Sequence, residues 1–200
     1  MIKIITVLKT GGEYNEKHVL AIKSQIEKYV NAPFEFLCLS DIKSKNFKTV
    51  KLESDLTGWF TKLELFKITG PCLYVDLDTI FCSNIDRLIN DLSSQQTSDI
   101  ITMNDPYHMG NLNSSMMFWR DDVSSIYSTF ISDTKYIDQN YIMKLDTRPQ
   151  KFGDQNIIQC IVKELHMPWS FFPGIGDSIV SFKVNLNTVS YTHLTLPTKA

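Results

Sequence analysis

Residues 73–87 read LYVDLDTIFCSNIDR, and this stretch is the most informative part of the chain for both its central strand and its chemistry. Its apolar start is typical of a strand buried on both faces, and the run ends in two carboxylates, Asp76 and Asp78. In an extended strand, positions i and i+2 point to the same face, so these carboxylates converge while Leu77 turns towards the core. Two anionic side chains at the end of a buried strand are costly unless a cation neutralises them. The pattern therefore predicts a divalent metal that bridges the pair to a phosphorylated substrate.

The alternative to a metal site is a pair of strand-end caps, in which Asp78 bonds to the backbone of Ser83 or Asn84. A cap rarely needs two carboxylates directly after so apolar a strand, which favours the metal. Ligation by oxygen alone suits Mg²⁺ or Mn²⁺, with phosphate oxygens and water completing the coordination. Such a cation would neutralise the charge that develops on a leaving diphosphate.

Strands and helices alternate along the chain. Apolar runs predict strands at residues 2–8, 34–39, 72–78, 99–103 and 114–119. Helical spacing predicts a first helix that begins near Asn15, and three further helices over residues 59–68, 85–92 and 154–165. This alternation predicts an α/β fold with a mostly parallel, twisted sheet, and residues 134–152 form an irregular excursion. In such sheets, ligands bind at the carboxyl ends of the strands. Residues 6–14, 76–79 and 113–114 are therefore expected to share one crevice.

The composition indicates one globular domain. The chain has 200 residues, of which 43% are hydrophobic and 21% charged, and this balance excludes wholesale disorder. A net charge of −2 provides no basic field for nucleic acid, so local groups must meet any anionic ligand. The opening MIKIITVLKTGG lacks the apolar core of a signal peptide, and no run approaches the roughly 18 apolar residues of a membrane span. We expect a cytoplasmic protein whose four scattered cysteines are free, mostly buried thiols.

The end of the chain differs in character from the rest. Residues 189–200 read VSYTHLTLPTKA, which resembles the translation of a transposon-based sequencing adapter; the alternative is an ordinary Thr-rich tail. We therefore assign residues 1–187 to a single domain that continues further in the natural protein, and residues 188–200 to a non-native tail. On this interpretation His193 is not a candidate ligand.

Four sequence blocks occur in the order of a known family. LYVDLDTIF is preceded by GWFTKLELFK and followed by NLNSSMMFWR and GDQNIIQ. Over most of residues 1–183, the chain resembles nucleotide-diphospho-sugar transferases with a DxD motif, in particular the glycogenin and galactosyltransferase-like families. The resemblance implies a GT-A (Rossmann-like) nucleotide-sugar-binding fold. It also implies a metal-dependent glycosyltransferase that moves a sugar from a nucleoside diphosphate sugar, in particular a UDP-sugar, to a hydroxyl acceptor on a saccharide, lipid or protein.

The resemblance assigns residues to the donor. Asp76 and Asp78 stand at the DxD motif and would bind Mn²⁺ or Mg²⁺ and, through the metal, the diphosphate. Lys62 would face the diphosphate or position the donor, whereas an isolated lysine would be interpreted as a solvated helix residue. Thr6 and Tyr14 lie in the segment that would hold the base, and Tyr14 either stacks on the base or is an exposed loop residue.

Four further residues are assigned to the sugar or the acceptor. Asn113 and Ser114 correspond to an Asn-Ser pair that would touch the donor sugar or the acceptor, although Asn113 is also a common turn residue. Asp154 and Gln155 open a helix and would lie at the sugar. Asp154 would act there as an acceptor-side base or bind sugar hydroxyls, and a structural role at the helix N-terminus is an equal alternative. Retention and inversion both stay open.

The sequence also departs from the family pattern. In glycogenin-like enzymes, a C-terminal histidine completes the metal site; residues 181–183 resemble the start of that motif, but the histidine does not follow. One rival function is therefore a degenerate sugar-nucleotide-binding module without catalysis. Another is a haloacid-dehalogenase-type phosphatase, although that family expects Thr or Val where Ile80 stands. The three tryptophans, Trp59, Trp119 and Trp169, are interpreted as core or cleft-wall aromatics.

Overall fold

The structure is a computed structural model that describes residues 1–96, 98–105, 108–138 and 153–172. In chain order, the elements are β1 (Ile2–Leu8), α1 (Glu16–Tyr29), β2 (Phe34–Ser40), β3 (Lys48–Lys51), a 3₁₀ segment (Gly58–Lys67), β4 (Cys72–Val75), α2 (Asp86–Ser94), β5 (Ile100–Asn104), β6 (Leu112–Trp119), α3 (Ser125–Ser132), a 3₁₀ turn (Thr134–Ile137), α4 (Asp154–Glu164) and β7 (Trp169–Phe171). The predicted domain boundary at residue 187, the suspected tail and most of the predicted excursion lie outside the described residues. Among the described helices, none has the length and apolar character needed to cross a bilayer.

The strands form one seven-stranded sheet in the order β3-β2-β1-β4-β6-β5-β7. β1 pairs in parallel with β2 and β4, β3 with β2, and β7 with β5, whereas β6 runs antiparallel to β4 and β5. The prediction of a mostly parallel sheet is therefore confirmed, with β6 as the exception. Because β6 runs against β4, its first residues lie beside the turn that follows β4.

The sheet is covered on both faces, which explains the uninterrupted apolar run of β4. Its four residues are at most 2% exposed. Cys72 and Tyr74 belong to the core cluster on the side of the 3₁₀ segment, α3 and α4, and Leu73 and Val75 to the cluster on the side of α1 and α2. A strand buried on both faces has no polar alternation, as the sequence predicts.

β4 is shorter than predicted. It ends at Val75, and the backbone N–H of Thr79 donates to the carbonyl oxygen of Asp76 at 3.1 Å, which closes a turn. The prediction that both carboxylates extend from one strand is therefore wrong: Asp76 and Asp78 lie in a turn, because the chain leaves the sheet where its apolar run gives way to turn-forming residues. Leu77 nevertheless packs against the core, as predicted.

The helix predicted over residues 59–68 is a 3₁₀ segment. The apolar side chains of the segment that pack in the core are Phe60, Leu63, Leu65 and Phe66, and the spacing of three between Phe60, Leu63 and Phe66 matches the three residues per turn of a 3₁₀ helix. Leu63 and Phe66 are fully buried. This geometry places side chains three positions apart, such as Trp59 and Lys62, on the same side of the segment.

The four cysteines are free, as predicted. Cys38, Cys72 and Cys160 are buried and Cys82 is exposed. Burial raises the pKa of the Cys38 and Cys72 thiols to about 12, so both stay protonated at neutral pH. These thiols behave as small apolar core residues.

Asp86 at the start of α2 ties that helix to the loop before β2, and its acidity provides a test of the fold. Its carboxylate accepts hydrogen bonds from the backbone N–H groups of Asn31 and Ala32, at 2.7 and 2.9 Å, and from the side chain of Asn84 at 2.8 Å. These bonds, the one from Ala32 first, lower the pKa of Asp86 from 3.8 to about 2. The stability they supply is therefore complete above the unfolded pKa and is lost as the pH falls through the folded pKa.

We expect the free energy of unfolding to decrease between about pH 4 and pH 2, and to decrease less in Asp86→Asn. Urea unfolding followed by circular dichroism across this range measures the difference. Asp91→Asn, which changes an exposed carboxylate on the same helix, should keep the wild-type slope. An equal slope in wild type and Asp86→Asn would show that Asp86 does not anchor α2.

Candidate functional site

A cluster of charged side chains joins β6, α4, the 3₁₀ segment and the turn after β4. The Nζ of Lys62 lies 3.0 Å from Oδ1 of Asp76 and 2.7 Å from Oδ2 of Asp154. The hydroxyl of Ser114 donates to the same Asp154 oxygen at 2.5 Å. The side chains of Lys62 and Asp154 are only 12% and 13% exposed, so water does not replace these contacts. These four residues, predicted from separate sequence blocks, form what we call the Lys62 cluster.

The charges in the Lys62 cluster are unequal, with one ammonium between two carboxylates. Burial opposes the charge on Lys62, but the carboxylates of Asp154 and Asp76 outweigh it and raise the pKa of Lys62 above its usual value. Burial raises the pKa of Asp76 although Lys62 opposes the shift. Lys62 is therefore a permanent cation and not the solvated lysine of the alternative interpretation. The carboxylate of Asp76 would still gain from additional positive charge.

Tyr74 supports this cluster and was not predicted. Its hydroxyl donates to Oδ1 of Asp76, and the Nζ of Lys62 lies 5.2 Å from the centre of its ring. Burial, followed by the charge of Asp76, raises the pKa of Tyr74 well above its usual value, so the hydroxyl remains a donor. An interior tyrosine in an apolar strand gives no functional signal, except that it stands two positions before a carboxylate and therefore on the same face.

Asp78 meets Tyr14 from the loop between β1 and α1. The tyrosine hydroxyl donates to Oδ2 of Asp78 at 3.2 Å, so this carboxylate is bound by Tyr14 and not by the backbone of Ser83 or Asn84. Burial and then the charges of Asp78 and Asp76 raise the pKa of Tyr14 to about 12. The structure thus connects Asp78 to Tyr14 and Asp76 to Lys62 and Tyr74, and the convergence of the two carboxylates on one cation stays a prediction.

Asp154 is the first residue of α4, and its carboxylate faces the cluster. The N-cap position belongs to Gly153, whose backbone N–H donates to the side chain of Asn156 at 3.1 Å. The side chain of Asp154 therefore does not cap the helix, but its position in the first turn, where a carboxylate is stabilising, agrees with the structural alternative, and both roles stay open. Gln155 follows on the first turn of α4 and is half-buried.

Thr6 and Asn113 are less directly placed. Thr6 is fully buried in β1, and its hydroxyl has no hydrogen-bond partner within the part of the chain that the structure describes. The side-chain oxygen of Asn113 accepts from the backbone N–H of Ser115 at 3.0 Å and from its hydroxyl at 2.5 Å. Neither residue hydrogen-bonds to the Lys62 cluster among the described residues, so their roles stay predictions.

Gln159 was not predicted, and it fixes α4 to the start of β6. Its side-chain oxygen accepts from the backbone N–H of Leu112 at 2.7 Å, and its side-chain nitrogen donates to Asn111 at 2.8 Å. Gln159 is 1% exposed. This buried amide sets the position of α4 and thereby holds Asp154 against Ser114.

The donor atoms of the turn fit a divalent cation that is shared with a phosphate. Over residues 1–96, 98–105, 108–138 and 153–172, no group of three or more His, Cys, Asp or Glu side chains is placed to hold a metal. The contacts of Asp76 use Oδ1 and that of Asp78 uses Oδ2, so each carboxylate keeps one oxygen without a described partner. Mg²⁺ is commonly held by one or two carboxylates together with substrate phosphates. Asp76 and Asp78 are the two carboxylates of the turn that would hold a cation in this way.

Comparisons with known proteins show a structural likeness only. No protein-family profile and no curated protein sequence matches the chain. The glycosyltransferase GlyE of Streptococcus pneumoniae TIGR4 is 10% identical with a TM-score of 0.56, over 93% of this chain and 48% of that one. The galactosyltransferase LgtC, in complex with donor and acceptor sugar analogues, is 11% identical with a TM-score of 0.53, over 84% of this chain and 72% of that one.

An active-site variant of LgtC is 10% identical with a TM-score of 0.55, over 97% of this chain and 80% of that one. The chain spans about half of GlyE, since the two GlyE structures are covered to 44% and 48%. At these identities, the likeness establishes the architecture. The chain therefore has the GT-A-like fold of these glycosyltransferases, as its sequence predicted.

Proposed function

We propose that this protein is a glycosyltransferase that moves a sugar from a nucleoside diphosphate sugar to a hydroxyl acceptor. The observation that carries the proposal is the Lys62 cluster beside the Asp76–Asp78 turn, at the carboxyl end of β4. Ligands bind at this end of strands in open α/β sheets. GlyE and LgtC are glycosyltransferases with this fold, and LgtC was crystallised with donor and acceptor sugar analogues.

The diphosphate side of the site belongs to the turn. Asp76 and Asp78 would hold Mg²⁺ or Mn²⁺ through their remaining carboxylate oxygens. When bound, the metal supplies positive charge to the departing diphosphate. Lys62 adds a fixed charge whose position is already set by two ion pairs, so little reorganisation is needed during the reaction. Tyr14, which is 37% exposed, would stack on the base while its hydroxyl orients Asp78.

The sugar side of the site belongs to α4 and β6. In the reaction, the anomeric carbon exchanges its bond to a diphosphate oxygen for a bond to the acceptor oxygen, and the hydroxyl proton of the acceptor passes to the departing diphosphate or to solvent. Asp154 is fixed through Oδ2 by Lys62 and Ser114, which supports a role in binding sugar hydroxyls through Oδ1. We assign a sugar-side role to Gln155 as well, because it follows Asp154 on the first turn of α4 and is only half-buried. Asn113 would contact the sugar from the start of β6.

Incubation with UDP-glucose, UDP-galactose and UDP-N-acetylglucosamine in the presence of Mn²⁺ tests the function. We expect release of UDP from at least one donor. We also expect the melting temperature to rise by about 5–10 °C when UDP is present at about 100 times its Kd. A rise without UDP release would indicate a binding module. Hydrolysis of p-nitrophenyl phosphate without any response to UDP would indicate a phosphatase and contradict the proposal.

A further inference from the structure

Trp59 is an exposed tryptophan at the start of the 3₁₀ segment. Its side chain is 62% exposed, whereas Trp119 is fully buried and Trp169 half-buried. Of the two interpretations of Trp59, the core aromatic is therefore wrong, and the cleft-wall aromatic agrees with its exposure. Tryptophan is usually well buried, because exposing its large apolar face to water costs free energy. A single exposed apolar residue is common on protein surfaces, so the position of Trp59 decides its meaning.

Trp59 borders the Lys62 cluster. With three residues per turn, Trp59 and Lys62 lie on the same side of the 3₁₀ segment. A methyl group added to Gly153 would lie 3.9 Å from Cε3 of Trp59, so the indole lies against the backbone that directly precedes Asp154. Trp59 is therefore the aromatic side chain next to the carboxylate that we assign to the sugar.

A chain of contacts connects two aromatic residues through the site. At one end, Tyr14 binds Asp78. At the other end, Lys62 binds Asp154, whose preceding residue lies against Trp59. If the base lies at Tyr14 and the diphosphate at the turn, the donor sugar reaches Asp154. The next group along this line, beside Trp59, is the acceptor.

We propose that Trp59 is the stacking platform for the acceptor and that the acceptor is a saccharide; this inference rests on the proposed function. One face of a pyranose presents C–H groups with positive partial charge, and the face of an indole carries negative potential. The hydroxyls at the edge of the same sugar need polar partners, which Asp154 provides. Docking of a lipid or a protein surface would instead need a contiguous apolar patch. The sequence neighbours of Trp59 are Gly58, the half-buried Phe60 and the buried Thr61, so they do not extend its exposed apolar surface into such a patch.

The test compares sugar binding by four forms of the 200-residue chain: wild type, Trp59→Ala, Trp59→Phe and Ile131→Ala. Ile131 is 57% exposed on α3, outside the Lys62 cluster, so Ile131→Ala is a matched loss of exposed apolar surface. The probes are methyl β-galactoside, methyl β-glucoside and lactose, each titrated in the presence of UDP and Mn²⁺ and followed by saturation-transfer NMR. UDP binding to every form is measured first by calorimetry.

We expect at least one probe to bind the wild type, about tenfold more weakly to Trp59→Ala, and nearly normally to Trp59→Phe and Ile131→Ala. Equal sugar binding by wild type and Trp59→Ala would overturn the platform, as would a wild type that binds UDP but none of the probes. Loss of binding to phosphatidylglycerol vesicles in Trp59→Ala, with sugar binding unchanged, would assign the surface to a lipid and overturn it too. A wild type that does not bind UDP would instead contradict the proposed function.

Discussion

Replacing Lys62 with methionine should lower the free energy of unfolding by about 3–5 kcal/mol, because it leaves the buried carboxylate of Asp154 and the partly buried carboxylate of Asp76 without their cation. Lys62 contacts Asp76 at 3.0 Å and Asp154 at 2.7 Å, and its side chain is only 12% exposed. The same change should abolish sugar transfer. Chemical denaturation of wild type and variant measures the loss of stability. If Lys62→Met does not fold, Lys62→Arg, which keeps the positive charge, is compared with wild type in its place.

The matched control is Lys48→Met. Lys48 pairs with Glu35, but its side chain is 66% exposed, so its removal should cost less than about 1 kcal/mol. The double variant Lys62→Met/Asp154→Asn should recover part of the loss, since it removes one of the unpaired charges. If Lys62→Met were as mild as Lys48→Met, the Lys62 cluster would not be a buried charge network.

Replacing Asp78 with alanine should lower the turnover of a UDP-sugar by about 100-fold or more, because it removes one of two expected metal ligands. Its stability should stay within about 0.5 kcal/mol of wild type, since Asp78 is exposed and its described contact is with the hydroxyl of Tyr14. Measuring both quantities separates Asp78 from Lys62, for which activity and stability fall together.

Asp91→Ala is the control for this second experiment. Asp91 is an exposed carboxylate on α2, at 3.8 Å from Arg87, and its loss should change neither turnover nor stability. Unchanged turnover in Asp78→Ala, with the control also unchanged, would refute the assignment of this turn to the donor diphosphate.

The apolar runs predicted the main strands, but polar residues moved their ends. β6 begins at Leu112, two residues before the predicted start. The prediction starts too late because asparagine is a common turn residue and Asn113 is therefore left outside the strand. In the structure, Asn113 pairs with Met103 in the sheet, and its side chain is satisfied by Ser115. Local hydrogen bonds of this kind allow a polar residue inside a strand, and sequence patterns alone do not show them.

Three elements of the structure, β3, β7 and α3, were not predicted from the sequence. β3 reads KTVK at the sheet edge, where its terminal lysines are exposed, and charged edge strands carry little apolar signal. β7 has three residues. In α3, Ile126 and Phe130 are buried at a spacing of four, which is a helical spacing that was available in the sequence.

The candidate site was predicted through its charged residues but not through their supports. The sequence blocks pointed to Lys62, Asp76 and Asp154, and the structure brings them within ion-pair distance. Tyr74 was missed because an apolar strand does not mark the hydroxyl of one of its residues as a hydrogen-bond donor, and Gln159 because its partners Leu112 and Asn111 are distant in sequence. Such contacts depend on the packing of β4, α4 and β6, which a linear pattern does not specify.

In the proposed function, Asp76 and Asp78 hold a divalent cation that binds the donor diphosphate. Calorimetric titration of UDP into the protein, once with Mn²⁺ and once with EDTA, tests it most directly. We predict that UDP binds only with Mn²⁺ and that Asp76→Asn and Asp78→Ala each weaken this binding at least about tenfold. Equal UDP affinity with Mn²⁺ and EDTA, or wild-type affinity in both variants, would contradict the claim.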